Sequence, residues 1–232
     1  MTSISGNGHD EASRHPLSES QEDYLKQIFL LGEGRGKVMT QAIAGRLGVR
    51  PASVTEMVGR LAQLGLVEHA RYQGVSLTED GRRVALEMLR HHRLLETYLV
   101  EALGYSWDQV HEEAERLEHV ISERFEARIA EVLGHPTHDP HGDPIPTPEL
   151  SLPPRERGTL LTKLPVGSSG LLVQVGAQDR RSLDRLRKVG LSLGCPVEML
   201  GSDKAAVRIR IAGATHELPT RLAEQLWIRG QE

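Results

Sequence analysis

Between His111 and His119 the chain packs four glutamates and two histidines into nine residues, with no Gly or Pro to stop a helix. On a helix His111, Glu115 and Glu118 fall at i, i+4 and i+7, and His119 at i+8, so all four share one face. Carboxylates crowded in this way repel one another unless protons or a cation neutralise them. Imidazole nitrogens and carboxylate oxygens are donors for a divalent cation. A second such pair stands upstream, His92 and Glu96, one helical turn apart. A solvated acidic helix would carry the same glutamates; the histidines on the stripe and the upstream pair turn the reading toward a metal site. Asp23, on a helix face whose other members are apolar, reads from its neighbours alone as an exposed first-turn acid favoured by the helix dipole. His135, His138, Asp139, His141 and Asp143 lie among prolines and read as turn formers, since nothing in that stretch fixes a ligand geometry.

The elements that must position these groups follow from composition and periodicity. A chain of 232 residues with 38% hydrophobic content supports one large domain or two to three small ones. No apolar run approaches 18 residues, and Met1 to Arg14 is polar, so neither a transmembrane helix nor a signal peptide is expected. The single cysteine, Cys195, excludes an intrachain disulfide and suits a reducing cytoplasm. Any metal site must then use oxygen and nitrogen, unless Cys195 contributes alone. The net charge of -4 hides a pattern: six basic residues against two acidic from Arg35 to Tyr72, seven against thirteen from Ser76 to Gly134, and thirteen against seven from Arg155 to Arg229. A basic module beside an acidic one fits a DNA surface followed by a cation site.

Residues 1–16 are polar and expected to be disordered. Ser18 offers an N-cap to a helix carrying Tyr24, Leu25, Ile28, Phe29 and Leu31, broken by the glycines at 32, 34 and 36. A short helix follows, with Thr40 as cap and Gly48 at its end. Pro51 opens a third helix, with Val54, Met57, Val58 and Leu61 on its buried face. Two short helices joined by a turn read as helix-turn-helix. Strand-like runs at 65–69 and 75–78 around a basic, aromatic tip add a wing. Residues 17–80 are therefore expected to be a winged helix-turn-helix DNA-binding domain. Arg50, Ser53, Thr55, Arg60 and Arg71 suit phosphates and base edges, and Thr40, Pro51, Ala52, Glu56 and Tyr72 complete the expected DNA face.

Residues 81–134 read as a helical dimerisation and metal-binding domain. One long helix runs to Leu103 and stops at Gly104; a second runs from Ser106 to Leu133, and the pair has apolar surface enough to pack on a second copy. Residues 135–154, with seven prolines, read as a stiff extended linker. Residues 155–232 show short β-type runs at 159–164, 170–176, 196–201 and 205–211, with one helix at 182–190, and read as a small β-barrel, SH3-like in size. The fold class is α+β.

This order of modules, with Glu22-Asp23-Tyr24-Leu25, Pro51-Ala52-Ser53-Val54-Thr55, Arg90-His91-His92-Arg93-Leu94-Leu95-Glu96, the His111–His119 stretch and His141-Gly142-Asp143-Pro144-Ile145-Pro146, resembles the diphtheria-toxin-repressor family, including its manganese-transport-regulator branch. The resemblance covers the chain from about Ser18 to the end. It implies a metal-activated repressor, a dimer on palindromic double-stranded DNA, with two adjacent metal sites per subunit. One site would use Asp23, Glu115, Glu118 and His119; the other His92, Glu96 and His111, with Gln178 or Asp179 as candidate ligands from the barrel. Iron-responsive members have Met and Cys where this chain has Asp23 and Glu115, so the site here is harder and suits Mn²⁺. Lys26 stands where the manganese branch has a Glu, and Glu96 with His111 resemble the iron branch, so Fe²⁺ or a dual response is the alternative.

Two rivals come from other classes. A metallohydrolase would also use histidines, carboxylates and a metal, but no Gly-rich phosphate loop, Gly-x-Ser-x-Gly or His-Glu-x-x-His is present, and an enzyme is not expected. A winged-helix regulator of organic ligands would need an apolar pocket, and two Phe, two Trp and four Tyr supply little aromatic lining.

Overall fold

A computed structural model describes residues 17–32, 36–70, 73–153, 158–177 and 179–230. The disorder expected over residues 1–16 lies outside them. The chain forms two compact units, Met1–Arg82 and Arg83–Glu232.

In the first unit, α1 (Glu19–Leu31) opens on a reciprocal capping box. Gln21 N donates to the Ser18 hydroxyl, and Ser18 N donates to Gln21 Oε1 at 2.9 Å. Tyr24, Leu25, Ile28 and Phe29 make its buried face. Thr40 does not cap α2 (Thr40–Leu47): it is the first helical residue, and the capping position falls to Met39, whose side chain has no acceptor to offer. Gly48 ends α2 in the left-handed region at φ 66°. In α3 (Pro51–Gln63), Pro51 occupies the first turn, where its missing N–H leaves nothing unpaired. Val54, Val58 and Leu61 are fully buried, while Met57 is only half-buried. The wing is β1 (Val67–Ala70) paired antiparallel with β2 (Gly74–Leu77), and Val38 adds one bridge to Val75.

In the second unit α4 (Glu79–Glu101) ends short of Gly104, which takes a positive φ of 71°. The single second helix expected from Ser106 to Leu133 is two: α5 (Val110–Leu117) and α6 (Glu123–Val132). Ser122 breaks it, because its extended backbone (φ -89°, ψ 155°) and its hydroxyl, accepting from Phe125 N, start a new helix. Leu94, Leu95, Leu99, Val110, Ala114, Ile129 and Ala130 form the core of these helices, joined by Ile145.

Ile145 belongs to the supposed spacer. Residues 135–153 are a folded strap: Arg90 and Arg93 of α4, both buried, donate to the carbonyls of Pro146 (2.6 Å) and Pro144 (2.5 Å). Proline lacks an N–H but keeps a carbonyl, so a Pro-rich segment can satisfy buried guanidinium groups without joining a helix or sheet. The strap closes on a turn in which Asp139 accepts from the N–H groups of His141 (2.8 Å) and Asp143 (2.9 Å). Gly142 (φ 83°) must be glycine there, since a Cβ would stand 2.1 Å from Val173 O.

Six antiparallel strands make the C-terminal sheet: β3 (Thr159–Leu160), β4 (Ser169–Val175), β5 (Pro196–Ser202), β6 (Ala206–Ile211), β7 (Ala214–Pro219) and β8 (Leu226–Gly230), in the order β3-β8-β4-β5-β6-β7. The sheet does not close into a barrel; β3 and β7 are its edges. The run expected at 159–164 stays extended for two residues and then turns into a short 3₁₀ segment, Leu161–Lys163. α7 (Arg180–Lys188) and the single-turn α8 (Thr220–Ala223) accompany the sheet. Its core includes Leu161, Leu172, Leu183, Leu186, Met199, Ile209 and Ile228. No helix of the described residues is long and apolar enough to cross a membrane.

Candidate metal centre

A single turn and a half of α4 carries Arg90, His91, His92, Arg93 and Glu96, every one of them buried. Charged groups are kept in such a place only when paired, hydrogen-bonded or bound to a metal. His92 and Glu96 project together, with His92 Nε2 3.1 Å from Glu96 Oε1. α5 brings His111 opposite them: its Nδ1 is 3.0 Å from Glu96 Oε1 and 3.0 Å from His92 Nε2. One donor atom from each of these three residues lies within 4.8 Å of the other two. Adjacent ligands of an ion held at about 2.1 Å stand about 3 Å apart, so the spacing fits a first-row divalent cation, and the donor set is nitrogen and oxygen.

The rest of the acidic stretch continues from this triad. Glu115, about half exposed, has Oε1 3.5 Å from His111 Nε2. Glu118 is fully buried, with Oε2 2.5 Å from His92 Nδ1 and Oε1 3.5 Å from His119 Nε2. The Glu118 carboxylate therefore holds the far nitrogen of His92 and turns Nε2 toward Glu96 and His111, the arrangement that orients metal-ligating imidazoles. Asp23 is presented, half-buried, on α1 of the first unit.

Electrostatics match the geometry. Burial by itself would lower the His92 pKa, but the charges of Glu96 and Glu118 and their hydrogen bonds raise it to about 9. Burial would raise Glu96, yet the imidazoles of His92, His111 and His141 hold its carboxyl well below the usual range. Asp139 is pushed up to about 7 by burial, then by Glu96 and Asp143.

Sequence reasoning undervalued His141. It is buried, its Nδ1 lies 3.5 Å from Glu96 Oε2, and its ring stacks on Trp107 at 5.3 Å between centroids. Trp107 in turn donates to Pro140 O at 2.9 Å. Asp139 does form a turn, as expected, but its carboxyl also faces Arg93 at 3.5 Å beneath the site. The signal available was the His141–Pro146 motif, which marks a shaped segment and not a spacer. Of the barrel candidates, Asp179 is occupied as the N-cap of α7, accepting from Ser182 N at 3.0 Å, and Gln178 lies outside the described residues. Cys195 stays apart, its thiol 3.8 Å from Gly190 O and 3.7 Å from Pro196 O, so no thiol reaches the triad.

Val54, Val58 and Leu61 of α3 are buried, while Pro51, Ala52, Ser53, Thr55, Glu56 and Arg60, with Arg50 at the N-cap, are solvent-exposed. Arg60 pairs with Glu56 one turn away, and Thr55 donates back to Pro51 O at 3.1 Å. Thr40 starts α2 half-buried; Arg71 and Tyr72 lie outside the described residues.

Residues 16–75 match the model of the iron dependent repressor N-terminal DNA binding domain, and residues 78–147 that of the iron dependent repressor metal binding and dimerisation domain. The iron-dependent repressor IdeR of Mycobacterium tuberculosis is 35% identical over 89% of this chain and 95% of that protein. The chain belongs to the diphtheria-toxin-repressor family. It is a metal-dependent transcriptional repressor, not an enzyme, which sets aside the hydrolase and organic-ligand readings. The diphtheria toxin repressor of Corynebacterium glutamicum is 30% identical over 93% of this repressor and 98% of its own length. A solved manganese-dependent transcriptional repressor in complex with manganese superposes with a TM-score of 0.82 at 39% identity, over 91% of this chain and 100% of that one. ScaR with bound Zn²⁺ gives 0.77 at 31%, over 91% and 99%. Residues 159–230 match the FeoA domain, which accords with the SH3-like reading of the C-terminal sheet.

Proposed function

We propose that this repressor is activated by Mn²⁺ through two adjacent sites per subunit, His92, Glu96 and His111 at one, and Asp23, Glu115, Glu118 and His119 at the other. The observation that carries the metal choice is the sulfur-free donor set, with the one thiol held against backbone carbonyls elsewhere. Oxygen-rich sites favour hard, six-coordinate ions over the softer ones that thiolate and thioether recruit. The manganese-bound relative at 39% identity supports the same choice. An iron or dual response is the second reading, favoured by the 35% identity to an iron-dependent repressor.

In this reading the metal-free carboxylates of Asp23, Glu115 and Glu118 repel, and a bound cation joins them and fixes the DNA-binding domains. The repressor acts as a homodimer. Val120, Phe125 and Val132, each at least 48% exposed, supply apolar surface on and beside α6 for a second copy. Two recognition helices set about 34 Å apart then match the half-sites of a palindromic operator. Arg50, the α3 residues Ser53, Thr55 and Arg60, and Arg71 and Tyr72 make the contacts, in the cytoplasm, at genes for metal uptake. Because the metal has already met the ordering cost, DNA affinity rises with occupancy.

Fluorescence anisotropy with a palindromic promoter fragment, titrated with Mn²⁺ and, anaerobically, with Fe²⁺, tests this. Mn²⁺ tightens binding, and Asp23→Ala and Glu115→Ala abolish the response without unfolding the chain. Failure of Mn²⁺ to tighten binding sinks the switch; full activation of both variants removes these two residues as ligands.

A further inference from the structure

His91, the neighbour of the triad on α4, turns instead toward the Glu118 carbonyl and the carboxylates of α6. Its ring is buried, at 3% exposure, and its Nδ1 lies 3.1 Å from the backbone carbonyl of Glu118. A carbonyl only accepts, so Nδ1 carries a proton in that contact and Nε2 is the nitrogen left to face the carboxylates. Nε2 is buried and has no hydrogen-bond partner among the described residues. Three carboxylates surround it. Glu126 Oε2 is 3.1 Å away but out of line for a hydrogen bond, and Glu123 Oε1 is 3.6 Å away. Glu87, one turn before His91, completes a group with His91 and Glu123 whose donor atoms lie within 4.8 Å of one another. An open cleft of about 530 Å³ is lined in part by the carboxylate-bearing residues Glu87, Glu123 and Glu126 and by His135.

Three acids and one buried imidazole could be no more than an ion-pair cluster around a protonated histidine. Two features argue otherwise. Arg90 Nε also takes Glu126 Oε1 at 2.6 Å, so Glu126 has a permanent cation as well as the His91 ring against it. Glu87 and Glu123 have no such cation in their group; burial and the Glu123 charge beside it hold the Glu87 carboxyl above its usual range. With Glu87, Glu123 and Glu126 ionised against Arg90, the cluster has two negative charges to neutralise, as a divalent ion does. A ligating imidazole whose other nitrogen donates to a backbone carbonyl is the ordinary arrangement in metal sites.

We propose that Glu87, His91 and Glu123, with Glu126 beside them, form a third cation site that takes a first-row divalent ion. It shares no ligand side chain with the two sites above and does not depend on their assignment. Through the His91–Glu118 contact the ion would also steady the peptide that carries Glu118 and His119.

The test compares the full-length chain with a Glu87→Gln/Glu123→Gln double variant. Glu123 is exposed and Glu87 half-buried, so both substitutions are isosteric changes outside the core, and a thermal melt confirms the fold. Equilibrium dialysis against Mn²⁺, with metal counted by mass spectrometry, is expected to give one equivalent fewer per chain in the double variant. The same loss is expected in a His111→Ala/Glu115→Ala background, so misassignment of the other sites leaves the difference intact. His91→Gln, whose amide can still donate to Glu118 O, is expected to lose the same equivalent. Equal metal content with and without the glutamates, in both backgrounds, overturns the site. So does anomalous diffraction at the manganese edge that places no ion at His91 Nε2.

Discussion

On the proposed assignment, metal binding at the His92–Glu96–His111 triad displaces a proton, and the buried surroundings of His92 set how much that costs. His92, fully enclosed with carboxylates at both ring nitrogens, keeps its proton up to about pH 9 in the metal-free protein. A cation needs the neutral ring. At pH 7 the ring is two pH units below its pKa, which costs about 2.7 kcal/mol, or roughly a hundredfold in apparent affinity. Apparent affinity at this site should therefore rise about tenfold per pH unit from 7 to 8 and level off above about 9. Each binding event near neutrality should release a proton from His92. Isothermal titration with Mn²⁺ in two buffers of different ionisation enthalpy counts that proton. The same shift has an opposite face in the metal-free chain. A raised histidine pKa contributes stability that is full below about pH 6.5, its unfolded value, and is lost as pH climbs through about 9. Urea titrations of the metal-free protein should thus show lower stability at pH 9 than at pH 6.5. Affinity flat between pH 7 and 9 with no proton released would refute the protonated His92.

Three further outcomes follow from the fold. Gly142→Ala forces a left-handed φ and puts a Cβ 2.1 Å from Val173 O, so thermal unfolding should report a loss of about 2–4 kcal/mol. Arg93→Met strips the cation from Asp139 and Asp143, 3.5 and 3.7 Å away, and should cost about 3–5 kcal/mol by urea denaturation; because Asp139 titrates near 7, the deficit should shrink as pH falls below 7. Ser18→Ala removes the N-cap of α1 and should cost about 1 kcal/mol in the same assay.

Periodicity located α1 to α4, because each alternates a buried stripe with polar residues; the start of α2 was the weak point, since Met39 at its capping position offers no acceptor. The break at Ser122 was hidden by the strong helical pattern on either side; one cap residue decided it, and caps are weak signals inside a long amphipathic run. Strands β7 and β8 went unread for a different reason: Ala214–Pro219 is half polar and ends in proline, and Leu226–Gly230 has only five residues, so neither shows a clean alternation. Of the candidate metal centre, the His92–Glu96 pair and His111, which the fold brings together, were visible in the spacing. The parts that tertiary contacts create were not: His141 against Glu96 across 45 positions, or Arg93 seated beneath Pro144. Prolines and aspartates in sequence announce a turn and say nothing of what the turn is pressed against.

Glu118 is gripped at three points: one carboxylate oxygen by His92, the other near His119, and its carbonyl by His91. On the proposed assignment this one residue is common to the neighbourhoods of all three cations. Occupancies that compete for or jointly fix one residue are thermodynamically linked, and linkage runs both ways by the same factor. Filling in such a protein is a matter of order as much as of affinity, and its response to rising metal is a staircase whose step heights Glu118 sets.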